Sequence, residues 1–227
     1  MSIETCYMCS KEKTSREHVP PKCLFPESKN LDSGEDYRKN LIIVPACDEH
    51  NSAKSQDDEL MLITFASNLV SEDIGGKLQH PKLMRIVDRK PHLFAKLLRD
   101  AVPVSVVDDS GKAQDTCAFL LDRSRFMKQM QSVANGIYFH HMNSKVKGKT
   151  KVVPIAGFQT TDLKVNENNQ ITKNYADRLF PGLPSFGDNP DIFFYQVSSD
   201  SPNMLMKMVF YRAIEFIAEF NIEESNS

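Results

Sequence analysis

At 227 residues the chain can fold as one large or two small domains with a real core. Charged residues make up 26% and hydrophobic ones 41%, which is ordinary for a soluble globular protein, and no apolar run approaches the roughly 18–20 residues needed to span a bilayer. The formal net charge of −2 hides segregation: residues 77–151 carry 15 basic against 6 acidic side chains, so a polyanion can be held locally by a chain that is not basic overall.

The first residues, "MSIETCYMCSKEK", lack the basic and apolar regions of a secretion signal, and the chain reads as cytosolic. In that compartment five cysteines, two of them in a C-x-x-C, point to metal rather than to a disulfide framework. Two short extended runs follow, "EHVPPK" (17–22) and "NLIIVPA" (40–46), separated by a polar loop. "NSAKSQDDELMLITFASNLV" (51–70) then leaves one side apolar through Leu60, Ile63, Phe65, Leu69 and Val70, which predicts a helix. The N-terminal order is therefore strand, loop, strand, helix.

"HPKLMRIVDRKPHLFAKLLRDA" (80–101) reads as one helix broken near Pro91, or as two short ones. "VPVSVVDD" and "DTCAFLLD" predict strands joined at Ser110-Gly111. "RSRFMKQMQSVANGIYFHH" (123–141) predicts an amphipathic helix, and "VVPIAGFQTT" (152–161) a strand after the basic loop "NSKVKGKTK" (143–151). In residues 188–220, β-branched and aromatic residues cluster in "IFFYQVS", "MVFY" and "EFIAEF" around the turn signal "DSPN", which predicts a β-hairpin. Cys23 and Cys117 read as buried small hydrophobes, His140 and His141 as partners of helix-end carbonyls, and the methionines of "NMLMKM" as core or interface filler.

The strongest chemical signal is a four-point clip. Cys6-x-x-Cys9 and Cys47-x-x-His50 supply two pairs of soft or borderline ligands, and each spacing lets a tight turn aim both side chains at one ion. Four such ligands suit tetrahedral zinc with no position left for water, so this zinc reads as structural. It would staple the start of the first strand to the start of the helix.

Glu17, His18, Asn40, Asn51 and Lys54 lie between or beside those pairs. The ordered set of Cys6, Cys9, Glu17-His18-Val19-Pro20, Asn40, Cys47, His50, Asn51 and Lys54 resembles the HNH endonuclease family over about residues 6–58. Its active unit is a β-hairpin plus helix around a catalytic metal. The resemblance implies His18 as general base, because imidazole titrates close to neutral pH. It implies Glu17 and Asn51 as ligands of a divalent ion, Mg²⁺ or Mn²⁺, being hard oxygen donors few enough to leave room for phosphate and water. Asn40 would brace the hairpin loop, and Arg16 and Lys54 would contact phosphate. Three departures stand out. Glu17 replaces the more usual Asp, His50 replaces a fourth cysteine, and the Asn40–Cys47 interval is longer by two residues with Pro45 inside it. Adjacent strand residues face opposite ways, so a regular strand would not aim Glu17 and His18 at one point.

The expectation is therefore an α+β chain with a zinc-stapled ββα-metal unit at 1–60. A C-terminal α+β region at 61–227, with antiparallel strands, would serve substrate contact, dimerisation or regulation. The unit would cut DNA, with RNA as a further substrate to test, and Lys145, Lys147, Lys149 and Lys151 would track the phosphate backbone. Small proteins of this kind look like restriction or anti-phage components, an inference from kind alone. The competing expectation is a zinc-containing module that binds nucleic acid or protein without cleaving it.

Overall fold

A computed structural model of the chain describes residues 4–31, 35–51, 55–68, 88, 95, 99–107, 111, 113–158, 160–199 and 203–221. The fold is α+β, with antiparallel sheets. Among the described residues no helix is long and apolar enough to cross a membrane.

Strands β1 (Ser15–His18) and β2 (Ile43–Ala46) form an antiparallel pair in which Arg16 faces Pro45, Glu17 faces Val44 and His18 faces Ile43. The first strand starts and ends earlier than the run "EHVPPK" suggested, because Pro20 and Pro21 have no N–H to give a ladder. The chain instead bends at Val19-Pro20, a cis peptide, and enters a 3₁₀ turn over Lys22–Leu24. Helices α1 (Asp48–Asn51) and α2 (Ser55–Asn68) follow β2. Most of the predicted 80–101 helix lies outside the described residues, as do Leu69 and Val70; within it Asp88, Ala95 and Arg99 are helical. Strands β3 (Val102–Val107) and β4 (Ala113–Ala118) pair antiparallel, as two strands were expected to here, with the second starting and ending earlier than "DTCAFLLD" suggested. Cys117 on β4 is exposed, contrary to its expected burial.

Helix α3 (Arg123–Met142) is capped by the Asp122 carboxylate, which accepts from the Arg125 backbone N–H at 3.0 Å, and ends on Asn143 in the left-handed region. Strand β5 (Thr150–Ala156) then joins a five-stranded antiparallel sheet with β6 (Ser185–Asn189), β7 (Phe193–Ser198), β8 (Met204–Phe210) and β9 (Ile214–Phe220), in the order β5-β9-β8-β7-β6. The predicted hairpin near the end of the chain is thus a three-stranded meander of β7, β8 and β9. Helix α4 (Leu163–Leu179) packs on the outer face of the sheet through Ala176 against Ile155 and Ile217.

The inner face of the sheet carries the main core. Met204, Met206 and Met208 alternate inward along β8 and are buried, so the methionine-rich run is core. Phe65 of α2 is fully buried among aromatic neighbours, with ring centroids 4.9 Å from Phe210 and 5.9 Å from Phe126. Such a side chain contributes on the order of 1.5–3 kcal/mol through burial. Leu24 and Phe25, from just after β1, join this same core, so the N-terminal strands and the large sheet share one apolar interior. A second, smaller cluster of Cys6, Tyr7, Val19, Val44, Ala46 and Cys47 fills the space between the N-terminal knuckle and the hairpin, with Phe139 of α3 against it.

Candidate metal centre and the adjoining hairpin

The C-x-x-C sits in a small knuckle. Cys6 N–H donates to the Lys11 carbonyl at 2.9 Å, and Tyr7 N–H donates to the Pro45 carbonyl at 2.8 Å, which ties the knuckle to β2. The Met8 backbone N–H points at Cys6 Sγ, 3.4 Å away. At the other end, the His50 and Asn51 backbone N–H groups both donate to the Cys47 carbonyl, at 3.1 and 3.0 Å. The first turn of α1 therefore brings Cys47 and His50 to one side.

The two pairs converge. Among the described residues, Cys6, Cys9, Cys47 and His50 offer ligand atoms all within 4.8 Å of one another. Cys9 Sγ lies 3.8 Å from Cys47 Sγ, and His50 Nδ1 lies 3.5, 3.6 and 3.2 Å from Cys6, Cys9 and Cys47 Sγ. A tetrahedral zinc with its ordinary bond lengths would require edges of about 3.8 Å between sulfurs and about 3.5 Å between sulfur and nitrogen. Donor set and spacing both fit, so the cluster can hold a zinc ion. The thiols differ in character. Burial pushes Cys47 up, but hydrogen bonds from the His50 backbone and ring, and from the other cysteines, outweigh it and bring Cys47 to about 7. Cys9 is pushed up, by burial first and then by Cys47 and Cys6, against a lowering Lys11 backbone hydrogen bond.

Beside this cluster, β1 presents the predicted site residues. Ser15 and Glu17 share one face and Arg16 and His18 the other, by strand alternation. Glu17 is buried, at 6% exposure, and its carboxylate accepts a hydrogen bond from the Tyr7 phenol. Burial, then the Glu17 charge, raises the Tyr7 hydroxyl far above its ordinary value, so it stays a proton donor. Asn51 Nδ2 donates to Ser15 Oγ at 2.8 Å, which draws Asn51 onto the Glu17 side of the strand and leaves its Oδ1 as the oxygen available to a cation.

His18 is half-buried on the other face, and its imidazole is held below its usual value by burial first, then by the charges of Lys22 and Arg38. Neither of those two cations was singled out from the sequence. Lys22 follows the double proline and is exposed; Arg38 donates Nε to the Phe25 carbonyl at 3.1 Å and pairs with Glu27 at 3.2 Å. Lys22 lies four residues on from His18 in the same segment, whereas Arg38 is brought there by closure of the loop before β2, which no local pattern marks.

The remaining predicted residues divide. Arg16 is exposed. Asn40 has φ 53, a left-handed turn position that asparagine tolerates, and it leads into Leu41 and β2. Lys54 lies outside the described residues. Lys145 is drawn inward, its ammonium donating to Thr5 Oγ1 at 2.7 Å and to the Cys9 carbonyl at 2.5 Å, whereas Lys147, Lys149 and Lys151 are exposed. His141 bonds Tyr195, with Nδ1 3.3 Å from the hydroxyl, and packs edge-on to Phe186 rather than serving the helix end. Comparison with family models, with curated proteins and with solved structures finds no match for the chain.

Proposed function

We propose that the chain is a metal-dependent endonuclease of the HNH kind that hydrolyses phosphodiester bonds in DNA. The observation that carries this reading is the Asn51–Ser15 hydrogen bond, which sets Asn51 against the strand bearing Glu17 and His18, directly after a cluster able to hold zinc. Zinc would be structural, since four protein ligands complete its tetrahedron. The Glu17 carboxylate and Asn51 Oδ1 would hold Mg²⁺ or Mn²⁺, because both are hard oxygen donors. A divalent ion there would neutralise charge on the phosphate and the leaving 3′ oxygen.

His18 would take the proton from the attacking water. Its lowered pKa keeps the imidazole neutral and able to accept at pH 7. Arg16, on the same strand face, and exposed Lys22 would hold the phosphodiester against it, while Lys147, Lys149 and Lys151 would follow the backbone further out. Cleavage would leave 5′-phosphate and 3′-hydroxyl ends.

The test is plasmid nicking in Mg²⁺ and in Mn²⁺ by the zinc-loaded protein, beside His18→Ala and Asn51→Ala variants that retain zinc, with single-stranded RNA as a parallel substrate. The wild type should nick and both variants should fall by 100-fold or more. Equal inertness of all three on both substrates sinks the reading. Two observations favour the alternative, a zinc-containing binding module without catalysis: the Glu17 carboxylate is buried and already accepts the Tyr7 hydroxyl, and strand alternation sets His18 on the face opposite Glu17 and Asn51. In that case DNA would be retained in a gel shift and never cut.

A further inference from the structure

Gly136 lies inside α3, where glycine destabilises a helix relative to alanine, so its presence calls for a tertiary reason. The reason is Val19. A Cβ at Gly136 would stand 2.7, 3.0 and 3.1 Å from Val19 Cγ1, Cγ2 and Cβ. Carbon atoms settle at about 3.5–4.0 Å, so any other residue at 136 would force a displacement of roughly 0.8 Å or more. Rotating the valine offers no escape, because its Cβ is itself too close and a β-branched side chain has few staggered states. Val19 is fully buried, and its N–H donates to the Ile42 carbonyl at 3.0 Å. The neighbours of Gly136 on α3 hold the same docking: Asn135 Nδ2 reaches Met8 Sδ at 3.4 Å, and Phe139 packs on the cluster around Val19.

We propose that Gly136 is a positioning residue for His18: the bare helix backbone seats Val19, and Val19, covalently next to His18, fixes where the imidazole stands. The inference rests on the nuclease reading for its consequence in rate, though the seat itself is steric. Filling the seat pushes Val19 away from α3 and carries the His18 backbone with it. A misplacement of about an ångström at a general base can cost on the order of 100-fold in rate.

The experiment uses the full zinc-loaded chain as wild type, Gly136→Ala, Val19→Ala and the double variant. It reads plasmid nicking over a range of DNA concentrations and the His18 ring ¹H–¹³C cross-peak at one fixed pH. Gly136→Ala should lower kcat by tenfold or more at unchanged KM and displace the His18 cross-peak, with zinc content intact. Val19→Ala, which loosens the pin without pushing it, should lower kcat by less than Gly136→Ala does. The double variant should recover toward the Val19→Ala level, since the methyls at 2.7 and 3.0 Å are gone and only the Cβ contact at 3.1 Å remains. An unmoved His18 cross-peak in Gly136→Ala, or a double variant no better than Gly136→Ala, overturns the inference. If Gly136→Ala does not fold, Val19→Ile adds a methyl to the same seat from the other side, and an unmoved cross-peak there overturns it equally. If wild type itself nicks neither DNA nor RNA, the nuclease reading falls while the cross-peak alone still decides the role of Gly136.

Discussion

Lys145 donates its ammonium to the carbonyl oxygen of Cys9 at 2.5 Å, so a residue from the loop after α3 grips the backbone of the Cys6–Cys9 knuckle. The same ammonium reaches Thr5 Oγ1 at 2.7 Å, on the strand-like segment that enters the knuckle. A charge-assisted, partly buried contact of this kind is worth about 1–3 kcal/mol. Lys145→Ala should therefore lower the melting temperature and speed zinc release to a chromogenic chelator several-fold. Lys147→Ala, which removes an exposed neighbour, should change neither. Equal release rates in the two variants would remove Lys145 from the knuckle.

Metal analysis should return about one zinc per chain, and stripping it should unfold the knuckle and hairpin. Cys47→Ser should lose that zinc. The large sheet, whose own core holds Phe193, Phe210 and Phe216, should keep its β signal in circular dichroism after removal. A zinc-free protein with an unchanged melting temperature would refute the clip.

Tyr7→Phe deletes the phenol that occupies the Glu17 carboxylate. The loss of one buried hydrogen bond should cost about 1 kcal/mol in stability. If Glu17 holds a divalent ion, the freed carboxylate should also lower the half-saturating Mn²⁺ concentration for nicking by a few-fold. A midpoint that does not move argues that Glu17 is structural.

His141 sets an acid limit on stability. Its imidazole is held below the ordinary 6.5 by burial first and by adjacent His140 second. Tyr195, its partner on β7, is pushed up by burial and stays neutral, and Phe186 on β6 carries no charge. The folded protein therefore binds fewer protons at this site than the unfolded chain does. Stability should be complete above about pH 6.5 and decline as the pH falls from there toward the lowered folded value. Denaturant melts from pH 7.5 to 5 should show the decline, and His141→Gln should flatten part of it.

The Cys/His cluster was legible because the spacing within each pair is local: a C-x-x-C and a C-x-x-H each aim two ligands, and only their convergence depends on the hairpin between them. Helix α3 was legible from periodicity, and the strands at 102–118 as two runs joined at Ser110-Gly111. Those at 193–220 were legible from clustered β-branched and aromatic residues around a turn signal, although the run was expected as a hairpin and is a three-stranded meander. Helix α4 escaped because little of it is buried; its side chains at Asn169 and Ala176 are, while Leu163, Ile171 and Tyr175 stand exposed, so no apolar stripe marks it. The cap at Asp162, which accepts from Lys164 N–H at 3.0 Å, was the available signal. Lys145 and Gly136 belong to a different class. The sequence shows a basic loop and a helix-weakening glycine, and their meaning lies in contacts with residues 5–19 that only tertiary structure supplies.

The turn between β8 and β9 carries two left-handed residues, Tyr211 at φ 52 and Arg212 at φ 59, and the Tyr211 hydroxyl donates to the Leu24 carbonyl at 2.7 Å. Leu24 follows β1 by a few residues and Tyr211 belongs to the β8–β9 hairpin, so the surroundings of the first strand are completed by a segment 187 residues further along the chain. Closing that contact carries the loop-closure cost of a long intervening chain, so the segment after β1 gains this tie only when the large sheet docks onto it.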